Sequence, residues 1–179
     1  MDNNKNLTLI IEPDEILHQK AKKIEKIDNK YNEIFDEMAK IMNRFDGIGL
    51  AGPQVGISEQ IIIIDVEIIA IEEKQSIPKT KYLKIINPEI ISLSAEKCTK
   101  EEGCLSLPTI YYNVERPSSI KIKFQNENNE EIILETDGLL ARCIQHEIDH
   151  LNGKVFIDYV SPLKRKLALS KLKKMKPKK

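Results

Sequence analysis

His146, Glu147 and His150 sit in Gly138-Leu139-Leu140-Ala141-Arg142-Cys143-Ile144-Gln145-His146-Glu147-Ile148-Asp149-His150-Leu151, a stretch whose residue types and spacing can do metal chemistry. Apolar residues at 139, 140, 143, 144, 148 and 151 recur with the period of a helix. On a helix His146 and His150 project from one face, one turn apart, so two imidazoles can grip one divalent cation. Glu147 lies beside them as a general base for metal-assisted hydrolysis. The plainer alternative is a buried amphipathic helix whose histidines are only hydrogen-bonded.

A catalytic site of this kind takes three protein ligands and leaves a fourth position for water. The motif supplies two. No Glu follows Glu147 and no His follows His150, and Phe156 stands where the longer HExxHxxGxxH pattern needs its last histidine. The third ligand is therefore Asp158, the only carboxylate after His150, or lies upstream. The best upstream candidate is Cys104, in Glu101-Glu102-Gly103-Cys104-Leu105-Ser106-Leu107-Pro108. A thiolate is a strong ligand for a borderline-soft metal. Gly103 lets the backbone come close to a neighbour. A Cys/His/His set suits zinc, ferrous iron, nickel or cobalt without choosing among them.

The elements that must position these residues read as α+β in order. Asp14 to Lys26 and Lys30 to Phe45 read as helices, the second with an apolar stripe of Ile34, Met38, Ile41 and Met42. Asp46-Gly47 ends it. Gln60 to Val66 and Tyr82 to Ile86 read as strands, with Glu67 to Thr80 between them as a loop or ragged hairpin. Lys97 to Leu107 and Ile110 to Val114 flank a turn expected at Pro108. Ser119 to Phe124 and Glu130 to Glu135 alternate around Asn126-Glu127-Asn128-Asn129, a hairpin signal. Gly153 closes the motif helix. Ser161-Pro162 opens a last basic helix, on which Leu163, Leu167, Ala168 and Leu172 recur at helical spacing.

Length and composition fit one domain spanning residues 1–179, with residues 164–179 as a basic C-terminal helix and tail. Hydrophobic content is 41% with ample charge, which excludes a disordered chain, and the aliphatic run Ile61 to Ile64 is far too short to span a membrane. Residues 1–6 lack the basic-then-apolar layout of a signal peptide, and three cysteines argue against a disulfide framework. Together these point to a cytoplasmic protein. From Lys164 to Lys179 there are nine basic residues and no acidic ones, so with 28 of each sign in all, the body carries 19 basic against 28 acidic. A body that acidic is a poor partner for DNA, whereas the tail could meet RNA.

Three segments, in order, resemble the signature motifs of the peptide deformylase family: Gly47-Ile48-Gly49-Leu50-Ala51-Gly52-Pro53-Gln54, Glu102-Gly103-Cys104-Leu105-Ser106 and His146-Glu147-Ile148-Asp149-His150. Pro13-Asp14, Ile86-Asn87-Pro88 and Asp158-Tyr159-Val160-Ser161-Pro162-Leu163 extend the likeness over roughly residues 7 to 170. The resemblance implies antiparallel β-sheets around a central helix carrying the motif, with N-terminal helices and a C-terminal basic helix. It implies an enzyme that releases formate from N-formylmethionyl peptides, with one divalent metal held by Cys104, His146 and His150. Fe2+ is the metal implied in the cell, with Zn2+, Ni2+ or Co2+ possible after purification, and the family's default state is a monomer. Glu147 becomes the base, and the Leu105 amide and Gln54 side chain become donors to the oxyanion. Ile48, Gly49 and Leu50 fall beside an apolar pocket for methionine, with Leu139 and Cys143 lining it and Arg142 at its mouth. Glu102 and Arg116 are candidates for a supporting ion pair. The chain departs from the family at Gly52, where a second Ala is usual, and at Thr109, Tyr111 and Tyr112 near the substrate groove. A substrate still emerging from the ribosome gives the basic tail a use as an anchor.

Overall fold

A computed structural model of the chain describes residues 7–74 and 79–175. Its centre is β2 (Ile61–Asp65), in which every residue is buried. β-Branched side chains suit a strand, and period-two alternation sends Ile62 and Ile64 to one face and Ile61 and Ile63 to the other. Both faces are covered, which is why the aliphatic run is unbroken. On one side α1 (Lys30–Arg44) turns Tyr31, Phe35, Met38, Ala39 and Met42 against Ile61 and Ile63. The expected stripe is rotated slightly, with Ile34 and Ile41 at its margins. On the other side α3 (Gly138–Leu151) packs Ala141, Cys143, Ile144, Ile148 and Leu151 into the cluster that holds Ile62 and Ile64. Each isoleucine so buried contributes roughly 1.5–3 kcal/mol.

The main sheet has five antiparallel strands in the order β1 (Gly49–Ala51), β2, β3 (Tyr82–Leu93), β6 (Ser119–Gln125) and β7 (Glu131–Asp137). A separate ribbon pairs β4 (Lys97–Cys104) with β5 (Leu107–Pro117). The ribbon, a 3-10 turn at Phe156–Tyr159 and α4 (Pro162–Lys174) share a third apolar cluster around Leu107, Val155 and Phe156. The α+β architecture with a central motif helix is the one the sequence implied. Among the described residues no helix is long and apolar enough to cross a membrane.

Four expectations need correction. Asp14 to Lys26 is not a helix beyond a 3-10 turn at Glu15–His18. Its later amides are taken by other parts of the fold, Ala21 N–H by the Leu151 carbonyl and Lys22 N–H by the Ser58 carbonyl, each at 2.8 Å. Leu17, Ala21 and Ile24 are still buried, so the apolar spacing read as helical serves an irregular strap. Between β2 and β3 the expected loop contains a helix, α2 (Val66–Glu72), started by Asp65, whose Oδ1 accepts the Ile68 amide at 3.0 Å. Residues 75–78 of that interval lie outside the described residues. The hairpin turn falls at Leu105–Ser106 rather than Pro108, because Cys104 pairs with Leu107 and the Ser106 carbonyl is tied to the Glu12 amide at 2.9 Å. On α4 only Ala168 and Leu172 are buried, and Leu163 and Leu167 face outward, because the helix meets the body along a narrower face than the leucine spacing suggested.

Candidate metal centre

The motif helix is fixed at its start by α2. Glu73, at the C-cap of α2, accepts the Leu139 amide at 2.6 Å, satisfying a donor that the first turn of α3 leaves open. A carboxylate there also suits the positive end of the helix dipole. Gly138 makes the join in the left-handed region, with φ of 61°. From this helix His146 and His150 project towards the end of β4, and Cys104 meets them, its Sγ 3.3 Å from His150 Nε2. Ligand atoms of Cys104, His146 and His150 all lie within 4.8 Å of one another, the only such trio of His, Cys, Asp or Glu among the described residues. Asp158 does not join them. Its Oδ2 accepts the Val155 amide at 3.0 Å and its Oδ1 accepts Arg165 Nε at 2.9 Å.

Glu102 supports the trio from behind. Its Oε2 lies 3.0 Å from His146 Nδ1, which leaves the other ring nitrogen for a cation. Arg116 grips both oxygens of Glu102, at 2.6 and 2.9 Å, and Arg142 adds a contact to Oε1 at 2.6 Å. Burial works against the Glu102 charge, but hydrogen bonds from His146 and Arg116 outweigh it and bring the pKa down to about 2. The ion pair is therefore buried rather than a surface contact. At His146 burial again opposes the charge, and hydrogen bonds with Cys104 and Glu102 outweigh it, raising the pKa. At His150 burial and the neighbouring His146 hold the pKa down.

Glu147 is buried, and its Oε2 has no hydrogen-bond partner among the described residues. Burial pushes its carboxyl up to about 7, the range in which a general base works at neutral pH. Strand β1 lies flush against it. A Cβ on Gly49 would come within 2.5 Å of Glu147 Oε1 and 2.7 Å of Cys143 Sγ, so this approach needs glycine. Gln54, in the 3-10 turn after β1, is anchored through its Oε1, which accepts the Ala51 amide at 2.8 Å. That contact aims Nε2 inward, donating to Cys104 Sγ at 3.4 Å and Ser106 Oγ at 3.2 Å.

A cavity of about 580 Å³ opens over these groups. Ile48, Gly49, Gln54, Cys104, Leu105, Leu139, Arg142, Cys143, His146 and Glu147 all contribute to its wall. Leu50 does not. Alternation along β1 turns its side chain to the opposite face, into the α1 cluster. Arg142 reaches the wall, but its guanidinium is spent on Glu102, on the Val114 carbonyl at 3.1 Å and on the Cys98 carbonyl at 2.7 Å. It braces Glu102 more than it guards a mouth. Sequence reasoning missed Asp149, Tyr159 and Ser106 as neighbours of the site. Asp149 and Ser106 lay inside the motifs and could have been suspected, and Tyr159 lay in a segment that extends the likeness but suggested no role for it. One cysteine sulfur, two imidazoles, a carboxylate holding one imidazole and, on the same cavity wall, Glu147 with an unpartnered oxygen together fit a divalent cation.

Known proteins share this arrangement of sequence and fold. The family described as polypeptide deformylase matches residues 7–166. Among curated proteins, the peptide deformylase of Bartonella tribocorum is 44% identical over 167 residues, 93% of this chain and 91% of its own length. Among solved structures, a peptide deformylase from Synechococcus elongatus in complex with actinonin shares 43% identity with a TM-score of 0.82, covering 92% of this chain and 86% of that one. One from Ehrlichia chaffeensis, also in complex with actinonin, shares 39% identity with a TM-score of 0.86, covering 96% and 98%. Sequence identity at this level, along nearly the whole of both chains and on the same fold, means that the chain belongs to the polypeptide deformylase family.

Proposed function

We propose that this protein hydrolyses the formyl amide of N-formylmethionyl polypeptides, releasing formate and a free amino terminus. The observation that carries the reading is buried Glu147, whose Oε2 has no hydrogen-bond partner among the described residues and which lines the same cavity as Cys104 and His146. Cys104, His146 and His150 would hold the cation. When bound, it acidifies water and draws charge from a carbonyl oxygen. Glu147 takes a proton from the attacking water as oxygen adds to the formyl carbon. It hands the proton to the leaving nitrogen as the carbon–nitrogen bond breaks. Gln54 and Leu105 both line the cavity, and the Gln54 side-chain amide and the Leu105 backbone N–H are the donors proposed for the oxyanion that forms between those steps. Ile48, Leu139 and Cys143 give the wall the apolar character that a methionine side chain needs, and Gly49 leaves space for it.

Release of formate from formyl-Met-Ala-Ser, without cleavage of an internal peptide bond, is the expected result. Cleavage of internal bonds without formate release would mean a different hydrolase. An apolar pocket of this size also predicts a higher kcat/KM for formyl-Met than for formyl-Ala or formyl-Asp peptides. Equal values would remove the pocket from the scheme.

The cation proposed for the cell is Fe2+, with Zn2+, Ni2+ and Co2+ compatible with the same donors. A single domain, a monomer and a cytoplasmic location complete the proposal. The basic tail is proposed to contact the ribosome, a reading supported by the exposed Lys166, Lys173 and Lys174 on α4. Residues 176–179 lie outside the described part. Because α4 buries Ala168 and Leu172, removing it would damage the core, so charge neutralisation is the better test. Replacing Lys166, Lys173 and Lys174 by Gln should weaken ribosome co-sedimentation at low salt and leave turnover of formyl-Met-Ala-Ser unchanged. Unaltered co-sedimentation would leave α4 with a packing role only.

A further inference from the structure

The buried charges behind His146 do not end at Glu102. Arg116, which clasps both Glu102 oxygens, also donates through Nη1 to Asp149 Oδ2 at 2.7 Å. The other Asp149 oxygen accepts the hydroxyl of Tyr159 at 2.8 Å. The Arg116 guanidinium lies 5.1 Å from the centre of the Tyr159 ring, so Tyr159 meets Arg116 with its ring face and Asp149 with its hydroxyl. Asp149 stands between Ile148 and His150 on the motif helix, and Tyr159 lies in the 3-10 turn that follows it. The chain of contacts therefore leaves α3 at Asp149, crosses to β5 at Arg116 and β4 at Glu102, and returns to α3 at His146.

Charge gives this loop a purpose. Arg116 and Arg142 together carry two positive charges, and Glu102 and Asp149 carry two negative ones. These four charges behind His146 cancel, so a divalent cation held beside it meets no net repulsion from them. Without Asp149, two arginines would face one carboxylate. The excess positive charge would repel the cation and draw Glu102 away from the imidazole it holds. Outer groups of this kind typically change metal affinity about 10–100-fold.

We infer that Asp149, braced by Tyr159, is a positioning residue that sets the metal affinity of the centre through Arg116 and Glu102. The inference rests on the reading of Cys104, His146 and His150 as metal ligands, and it does not depend on which peptide is hydrolysed. The test is a Co2+ titration of the full chain in competition with a chromophoric chelator at 25 °C, with the visible spectrum of the bound Co2+ as a second readout. Asp149→Asn keeps the shape and an acceptor but loses the charge. It is expected to bind Co2+ about 10–100-fold more weakly with the spectrum of a four-coordinate thiolate site preserved. Tyr159→Phe keeps the ring over Arg116 and loses the hydroxyl, so a smaller weakening, under about tenfold, is expected. Tyr159 is about half exposed, at 48%, so this variant remains informative if Asp149→Asn fails to fold. Asp149→Glu, which restores the charge, is expected to regain part of the affinity. Wild-type Co2+ affinity in the folded Asp149→Asn protein would overturn the proposal, even with a lowered Tm. If Asp149→Asn does not fold, wild-type affinity in Tyr159→Phe would overturn it. A wild-type protein that binds Co2+ tightly but releases no formate would instead refute the proposed function and leave this inference standing.

Discussion

Glu147→Gln should keep its metal and lose turnover by about 10²–10⁴-fold, the range a general base typically contributes. The amide has nearly the size of the carboxylate it replaces, so the tight packing of Gly49 and Cys143 around it survives. What is lost is the ability of a carboxylate on the cavity wall to accept a proton. The check is formate release from formyl-Met-Ala-Ser alongside metal content per chain. Turnover within about tenfold of wild type would take the base role from Glu147.

Cys104→Ser should strip the centre of metal. A neutral hydroxyl replaces a thiolate, and the affinity lost should exceed the roughly 10–100-fold that an outer-shell partner is worth. Activity should fall with occupancy. The fold should persist, because the apolar clusters on either face of β2 do not include the ligand set. Full occupancy in the purified variant would exclude Cys104 as a ligand.

The half of the centre carried by α3 was legible because its information is local. His146, Glu147 and His150 are set by helical periodicity, and the apolar positions around them announce the helix. Cys104 contacts His150 across 46 residues of chain, and spacing cannot reveal such a pair. Residue type and the family motif around it pointed to it, while elimination alone left Asp158 open. Arg116 was legible only as a candidate partner for Glu102, and Asp149 and Tyr159 were less legible still. A charged residue in a strand or helix is normally solvated, and its burial depends on what the rest of the fold brings over it. The strap before α1 and the short helix α2 failed for opposite reasons. The strap has helix-like apolar spacing but gives its amides to distant carbonyls. Helix α2 is rich in β-branched isoleucine and forms because Asp65 caps it and the sheet packs against it. Leu50 was assigned to the pocket as part of a motif, although strand alternation alone would have turned it away from Gly49.

The central assignment is one cation held by one sulfur and two ring nitrogens. X-ray absorption at the metal edge of the anaerobically prepared, full-length protein measures it directly. The edge identifies the metal, and the expected result in the cell-derived sample is iron. In a zinc-loaded sample, one sulfur at about 2.3 Å and two imidazole nitrogens at about 2.0–2.1 Å are expected. A metal shell without sulfur, or with only one imidazole, would contradict a centre built from Cys104, His146 and His150.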